Sequence, residues 1–507
     1  MVRRINLFAV VVLFILTSLA QAAEQKVIIG FRHASGLTEL ENHDKVNRAG
    51  GKISRVHSSI AAVAALLPEE AIAALKNDPN IAYVEADSLV TVVDPLQVPT
   101  ASPQEYAESW GVGHIGANTA AMMNYKGAGA KVAILDTGID YNHPDLKDNY
   151  KGGYNFVYDN SDPIDDSRYG HGTHLAGIIA ARDNGTGMVG VAPEAFLYAV
   201  KVLNGGMMGS TSDILAGIEW AITNKMNVID MSFGSSMDSQ AFRDACDLAY
   251  KSGIVLVAAA GNSNLPSVDN PAGFDSVIAV SATAQDDSRA LFSNYGAKVE
   301  LSAPGVLIKS TVPGGGYGIM SGTSQAVPHV AGVAALIFSS GIKDGNGDGN
   351  LADDVRSRLD ASARDLGDPG RDIYFGYGLV DAARSVNSVP HYKVTITGTP
   401  NKDDALEVPL KPGTYTIVIN NNGLKKLAIR PPACNGVDKC VEYQFLTQEL
   451  YDVPNALSGA DTFLKFHFSP KDAQNVSFEL KVDLAGSLMF YPHGETGSSA
   501  DISISEK

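Results

Sequence analysis

The sequence predicts an α/β protein whose body is a parallel sheet with helices on both faces, preceded by a small α+β module and followed by a small all-β domain. Three observations predict it. Between about Glu105 and Val386, continuous apolar runs of strand length alternate with helical spacings, the pattern of strands buried on both faces of a parallel sheet. Ahead of that body, short strand-like runs flank a single helical one. Behind it, from about Pro390, runs of period two follow one another and helical signals nearly vanish.

Size and composition agree. A chain of 507 residues gives a prior of about three domains. With 45 % hydrophobic and 19 % charged residues, the chain is globular rather than disordered. Its formal net charge of −17 argues against nucleic acid or an anionic membrane as partner, since both need a basic surface.

Taken in order, Arg3 and Arg4 precede an apolar run from Ile5 to Leu19, and Ala20, Gln21 and Ala22 follow. That is a charged start, a short apolar stretch and a small-residue exit, so residues 1–22 read as a signal peptide. The run is too short to be preferred as an anchor, and no other stretch spans a bilayer. The expected location is extracellular, with the periplasm as the alternative. Residues 23–100 follow as a module and linker. Lys26–Phe31 and Ile81–Glu85 read as strands, Leu89–Val93 as a third apolar run. Pro68–Leu75 is a helix opening on proline and acids. Three prolines between Asp94 and Gln104 mark a linker. A compact module between an export signal and a larger body is a candidate propeptide.

In the body, residues 105–386, strands are expected at Lys131–Leu135, Val228–Met231, Ile254–Ala260, Val277–Val280 and Val299–Ser302. Ile214, Leu215, Ile218, Ala221 and Ile222 have helical spacing. In such sheets the site lies at the carboxyl ends of the strands. Residues 390–507 read as an antiparallel sandwich-like domain, with strands at Tyr392–Thr397, Thr414–Ile419, Leu464–Phe468 and Val476–Val482. Cys434 and Cys440 are expected to clamp a polar loop in an oxidising compartment. Cys246, inside a helical pattern, reads as an inert buried thiol.

Four residues stand out chemically. Asp136 ends an apolar strand, where a carboxylate is desolvated yet faces a cleft; alone it reads equally as a turn cap. His171 lies in Gly170–Gly177, between glycines that let the backbone approach a neighbour. With His174 three residues on, a metal pair is conceivable, but no carboxylate or cysteine completes a ligand set, and His174 reads as a core histidine. Ser324 opens the helix that ends near Ser340, an ordinary capping position and also one where a hydroxyl meets free N–H groups. Asn262 ends the buried run Val255–Asn262, where an amide can donate to a developing oxyanion.

The stretches Asp136–Gly138, His171–His174, Ala260–Asn262 and Gly322–Ser324 resemble the motifs of the subtilase family of serine peptidases, in the family's order and roughly its spacing (35, 91 and 62 residues apart). The resemblance covers about Trp110 to Val386, and residues 23–100, with Asn80–Glu85 near the end, look like the family's inhibitory propeptide. It implies a secreted, self-processing serine endopeptidase in which Ser324 is the nucleophile, His171 the base, Asp136 its orienting acid and Asn262 an oxyanion donor. It further implies a substrate strand beside Ser232, Phe233, Gly234 and Ser235 and beside Ala259, Ala260 and Gly261, with an open pocket for large apolar side chains. Partners would be protein and peptide substrates and the chain's own propeptide, the enzyme acting as a monomer. One residue departs from the pattern: Gln325 follows the nucleophile where the family commonly has methionine.

The resemblance also implies structural calcium. Its ligands would be Asp145, the Asn184 side chain and the carbonyls of Arg182, Thr186 and Met188, with Gln104 or Tyr106 at the N-terminal ligand position. A second candidate is Asp344–Asn350, where Asp344, Asn346 and Asp348 have calcium-loop spacing; Val355 holds the twelfth position instead of an acid, and a plain polar loop is the competing reading. Two other functional readings remain open. One is a non-catalytic protein that kept the fold, against which the four intact residues count. The other is a dedicated processing enzyme, which would show clustered acids along the cleft.

Overall fold

The structure, a computed structural model, describes residues 24–32, 38–92, 98–99, 108–345 and 347–386, together with nine strands beyond residue 390. The expected signal peptide, most of the linker, Gln104, Tyr106, Asn346, Cys434 and Cys440 lie outside the described residues.

The N-terminal module runs β1 (Glu24–Phe31), α1 (Glu39–Arg48), β2 (Lys52–His57), β3 (Ala62–Pro68), α2 (Glu69–Lys76), β4 (Ile81–Ala86). Its antiparallel sheet has the order β2-β3-β1-β4. Thr38 and Glu41 form a capping box that starts α1. Pro68, with Glu69 and Glu70 in the first turn, starts α2. Both helices pack on one face, where Val46 and Leu75 meet Val27, Ile29 and Leu67. Ile28, Ile60 and Ala62, on the other face, are buried in the core of the body instead.

Two short strands, β5 (Leu89–Thr91) and β6 (Val98–Pro99), lead to the body. Its elements are α3 (Trp110–His114), α4 (Ala117–Met122), β7 (Lys131–Asp136), β8 (Tyr150–Asn155), α5 (His171–Ala180), β9 (Phe196–Lys201), β10 (Met208–Ser210), α6 (Thr211–Thr223), β11 (Val228–Met231), α7 (Gln240–Lys251), β12 (Val255–Ala259), β13 (Val277–Thr283), β14 (Val299–Pro304), the hairpin β15 (Ile308–Val312) and β16 (Gly316–Met320), α8 (Thr323–Ser339), α9 (Leu351–Ser362) and α10 (Ala382–Val386). Seven strands form one parallel sheet in the order β14-β13-β12-β11-β7-β9-β8. From β7 the chain builds first to one side and then, through β11, to the other. The crevice at that reversal opens where β7 ends, at Asp136.

Helices α5, α8 and α9 cover one face of the sheet through Leu175, Ile179, Val330, Leu336 and Leu359. Helices α6 and α7 cover the other through Ile214, Ile218, Phe242 and Cys246, and the module's Ile28 and Ile60 join them. The expected α/β class therefore holds, as do the five expected strands, to within a few residues. Cys246 is buried and free, and burial pushes its thiol pKa well up, as expected of an unreactive core cysteine.

The C-terminal strands are β17 (His391–Thr395), β18 (Leu406–Leu410), β19 (Gly413–Asn422), β20 (Lys426–Arg430), β21 (Val441–Phe445), β22 (Leu464–His467), β23 (Asn475–Val482), β24 (Gly486–His493) and β25 (Ser499–Glu506). They form two antiparallel sheets, β17-β25-β19-β23-β21 and β18-β24-β20-β22. Among the described residues no helix is long and apolar enough to cross a membrane.

Acidic groups at the edge of the module meet the starts of α6 and α7. Glu85 accepts from Ser239 Oγ (2.6 Å), Gln240 N (3.0 Å) and Ala241 N (3.3 Å), satisfying donors that a helix start leaves open. Asp87 accepts from Ser212 N at 2.9 Å. Arg55 pairs with Asp213 at 2.8 Å, and His57, fully buried, lies 3.3 Å from both Glu219 and Ser212. Past these contacts β5 pairs with β10, and Thr91 bridges Gly234 in antiparallel fashion.

Candidate active site

Asp136 and His171 meet because the crossover after β7 returns α5 onto the sheet directly above the strand's end. Gly170, with φ of 69°, begins the helix. A Cβ on Gly172 would lie 2.2 Å from the carbonyl oxygen of Gly138 and 3.2 Å from Asp136 Oδ1. The glycines beside His171 are thus what allow this approach. Thr137 Oγ1 accepts from Gly172 N (3.0 Å), and Ser167 Oγ accepts from Gly170 N (3.0 Å) and His171 N (3.3 Å). Asp165 in turn accepts from Ser167 Oγ and from Thr173 Oγ1 at 2.6 and 2.7 Å.

His171 Nδ1 donates to Asp136 Oδ1 at 2.9 Å, and Thr137 N donates to the same oxygen at 2.7 Å. Both side chains are fully buried. Burial disfavours the imidazolium, but the charge of Asp136 and its hydrogen bond outweigh it, and the pKa of His171 rises above the usual value. Because Nδ1 is committed to Asp136, the ring presents Nε2 as its acceptor, which has no partner among the described residues. His174 Nε2 donates towards the carbonyls of Ile308 and Gly318 at 3.1 and 3.2 Å, and burial depresses its pKa to about 3. It is a core histidine, as expected.

Ser324 is the second residue of α8, so its N–H belongs to the helix start and has no intrahelical acceptor. Its Oγ donates to the carbonyl of Ser232 at 2.8 Å. Asn262 Oδ1 accepts from both Thr323 N and Thr323 Oγ1 at 2.8 Å. Those two donors fix the amide, leaving its NH₂ as the group for the cleft. Gln325 is buried, its Nε2 against the sulfur of Met320 at 3.8 Å.

The expected substrate edge divides in two. The side chain of Phe233 lies in the core beneath the sheet, so that residue can offer only backbone. Gly234 is the open edge, and the chain's own Thr91 bridges it. On the other side, Ala259 is the last residue of β12. The carbonyl of Ala260 accepts from Asp269 N and Asn294 Nδ2, and that of Gly261 from Asn294 N.

Around Asp145 the structure gathers the expected ligand loop. Arg182 N donates to the Asp145 carbonyl at 3.0 Å. The carboxylate accepts from Asn184 Nδ2 (3.1 Å), Met188 N (3.1 Å) and Tyr317 OH (2.8 Å). Asp145 is 1 % exposed and has no basic side chain within ion-pair distance among the described residues. A buried carboxylate with only neutral donors suits a cation. The Asp344 loop behaves differently. Asp344 accepts from Gly347 N (2.5 Å) and Gly349 N (2.7 Å), and Asp348 from Asn350 N (2.7 Å). Val355 is fully buried in the core. These bonds are those of a capping loop ahead of α9, and they leave lone pairs on both carboxylates. No cluster of three or more His, Cys, Asp or Glu with metal-site geometry occurs among the described residues.

Sequence reasoning passed over several residues of this site. Thr323, which holds Asn262, lies inside the serine motif and was legible as a polar neighbour. Asp165 and Ser167 carry no pattern. Asp230, a charge inside the apolar run of β11, was a visible signal.

A sequence profile of the subtilase family matches residues 127–378. Subtilisin E of Bacillus subtilis (strain 168) is 42 % identical over 374 residues, covering 71 % of this chain and 92 % of the relative. M-protease of Shouchella clausii (strain KSM-K16) is 39 % identical over 377 residues, 72 % of this chain and 93 % of the relative. A thermostable alkaline protease of Halalkalibacterium halodurans is 38 % identical over 388 residues, 75 % of this chain and 98 % of the relative.

Proposed function

Because this chain belongs to the subtilase family and is a serine-type endopeptidase, we propose that it cleaves proteins with Ser324 as nucleophile, His171 as base, Asp136 as orienting acid and Asn262 as oxyanion donor. The observation that carries this reading is the buried 2.9 Å contact of Asp136 with His171, which leaves Nε2 as the ring's acceptor. Ser324 Oγ leaves the Ser232 carbonyl, bonds to the substrate's carbonyl carbon and passes its proton to Nε2. The oxyanion that forms is met by Asn262 Nδ2 and Ser324 N–H. The C–N bond then breaks, Nε2 returns the proton to the leaving amine, and water repeats the cycle on the acyl-serine.

The same reading divides the chain into a leader (1–22), an inhibitory propeptide with linker (23–100), a peptidase domain (105–386) and a β domain (390–507). The Thr91–Gly234 bridge supports the inhibitory role, since the module's own strand takes the edge a substrate strand would use. The enzyme is secreted, removes its own propeptide and works as a monomer. Fluorophosphonate labelling of the full-length protein tests the assignment. Label on Ser324 that vanishes in Ser324→Ala supports it, and an unlabelled but folded chain overturns it.

Calcium would be held at Asp145 by its carboxylate, by the carbonyls of Arg182, Thr186 and Met188 and by Asn184 Oδ1 once that amide, which here turns its NH₂ to Asp145 and its oxygen to Thr186, is reversed; the ion would neutralise a buried charge and tie the 182–188 loop to the loop after β7. Chelator is expected to lower the Tm by several degrees, as loss of a ligand bound to the native state requires, and added calcium to restore it. An unchanged melt removes calcium from this account. Gln325 predicts tolerance of peroxide, because no thioether follows the nucleophile and Met320 is fully buried. Activity is expected to survive peroxide treatment; rapid inactivation with Ser324 unmodified would contradict this.

A further inference from the structure

In α8 the carbonyl of Ser324 would normally accept from the N–H four residues on. That residue is Pro328, which has no N–H. The carbonyl is taken instead by Ser232 Oγ at 3.0 Å. Ser232 Oγ also lies 2.7 Å from Asp230 Oδ1. A hydroxyl carries one proton. If Ser232 gives it to the Ser324 carbonyl, the shorter contact needs a proton from Asp230. The surroundings agree: Asp230 is fully buried, and its Oδ2 has no partner. A carboxylate there would be a buried charge without a counter-ion.

We infer that Asp230 is a positioning residue for the nucleophile: a neutral carboxylic acid that donates to Ser232 and, through it, anchors the peptide carbonyl of Ser324. This rests on the reading of Ser324 as nucleophile. Pro328 leaves the first turn of α8 short of one hydrogen bond at the residue whose Oγ and N–H do the chemistry. The Asp230–Ser232 relay replaces that bond from the sheet below.

Asp230 sits on β11 between Ile134 of β7 and Val257 of β12. The charged groups facing it are Asp136 at the end of β7 and His171 on α5. Strand β12 has no titratable side chain, and the only one on α8 is His329, which meets the carbonyl of Gln325 at 2.9 Å. Burial first, then the charge of Asp136, push the Asp230 acid up to about 8, against the opposing pull of Ser232 and His171. Above that pH the carboxylate draws the Ser232 proton to itself and the Ser324 carbonyl loses its donor.

The test compares active enzyme prepared from the full-length chain with Asp230→Asn and Asp230→Ala. An asparagine amide still donates to Ser232 but cannot titrate. In the parent, kcat is expected to fall through an inflection near pH 8 with KM little changed. Asp230→Ala should lower kcat about tenfold at neutral pH, and Asp230→Asn should rescue it to within about threefold and abolish the inflection. Infrared difference spectra of the parent at neutral pH should contain a protonated-carboxyl C=O band that Asp230→Asn lacks. Melting supplies a check independent of catalysis. An acid whose folded pKa is raised withdraws stability as pH climbs from its unfolded value towards the folded one, so the Tm gain of Asp230→Asn over the parent should grow between about pH 4 and about pH 8. A missing acid band, or equal kcat in the two variants, overturns the proposal while leaving the nucleophile assignment intact. A Ser324→Ala variant that still turns over would overturn both.

Discussion

Asp136→Asn is expected to lower kcat about 10⁴-fold, the loss known when a triad carboxylate becomes an amide. The amide keeps the shape of the side chain, and its oxygen can still face Thr137 N–H. What it lacks is charge. In the proposed reaction His171 becomes a cation in a fully buried position, where desolvation is the largest influence on the ring and Asp136 does most to reverse it, ahead of Asp165 and Asp230. With the carboxylate gone, burial governs and the ring resists the proton it must take from Ser324. The pH profile therefore carries a second signature. His171 in the parent titrates above its usual value, so the acid limb of kcat/KM in the variant should move to lower pH. Circular dichroism establishes that the variant folds. A kcat within tenfold of the parent, or an acid limb that does not move, would sink the assignment of Asp136.

Asn262→Ala should lower kcat by about 10²–10³ with little change in KM, the range known for loss of one oxyanion donor. Its Oδ1 is held by two donors from Thr323, so the amide is oriented before any substrate arrives. Charge on the substrate oxygen develops only along the reaction, and a donor aimed at it lowers the barrier without strengthening ground-state binding. Thr323→Val removes the Oγ1 anchor but keeps the backbone one, and should cost kcat less than Asn262→Ala. An Asn262→Ala enzyme with raised KM and parental kcat would make Asn262 a binding residue instead.

The sheet was legible where its strands lie in the middle. The run at β11 has the same bounds in sequence and structure, because a strand covered on both faces is mostly apolar, Asp230 being its one polar residue. The edge strand β8, Tyr150–Asn155, escaped notice: it has two glycines and only its last residue is buried. β9 ends in Lys201, whose charge hides the pattern, although the structure buries that lysine against Asp166 and the carbonyls of Thr137 and Leu203. At the site, Asp136, His171, Asn262 and Ser324 were legible through their neighbours. The groups that hold them were not. Thr137, Asp165 and Ser167 are polar residues whose role depends on which segments the fold brings together, and no local pattern encodes that; Thr323 was visible only as a polar neighbour within the serine motif. Phe233 shows the converse: its backbone borders the expected substrate edge, but its ring belongs to the core.

The order of elements along the chain also fixes an order in time. The module's four strands pair only with one another, so every strand its sheet needs has been made once the chain reaches β4. The residue that carries the reactive hydroxyl follows well over two hundred positions later, on α8. On the proposed reading, a ribosome therefore makes the inhibitory module long before it makes the nucleophile. No stage of synthesis then yields the proposed active site before the segment proposed to restrain it has been made.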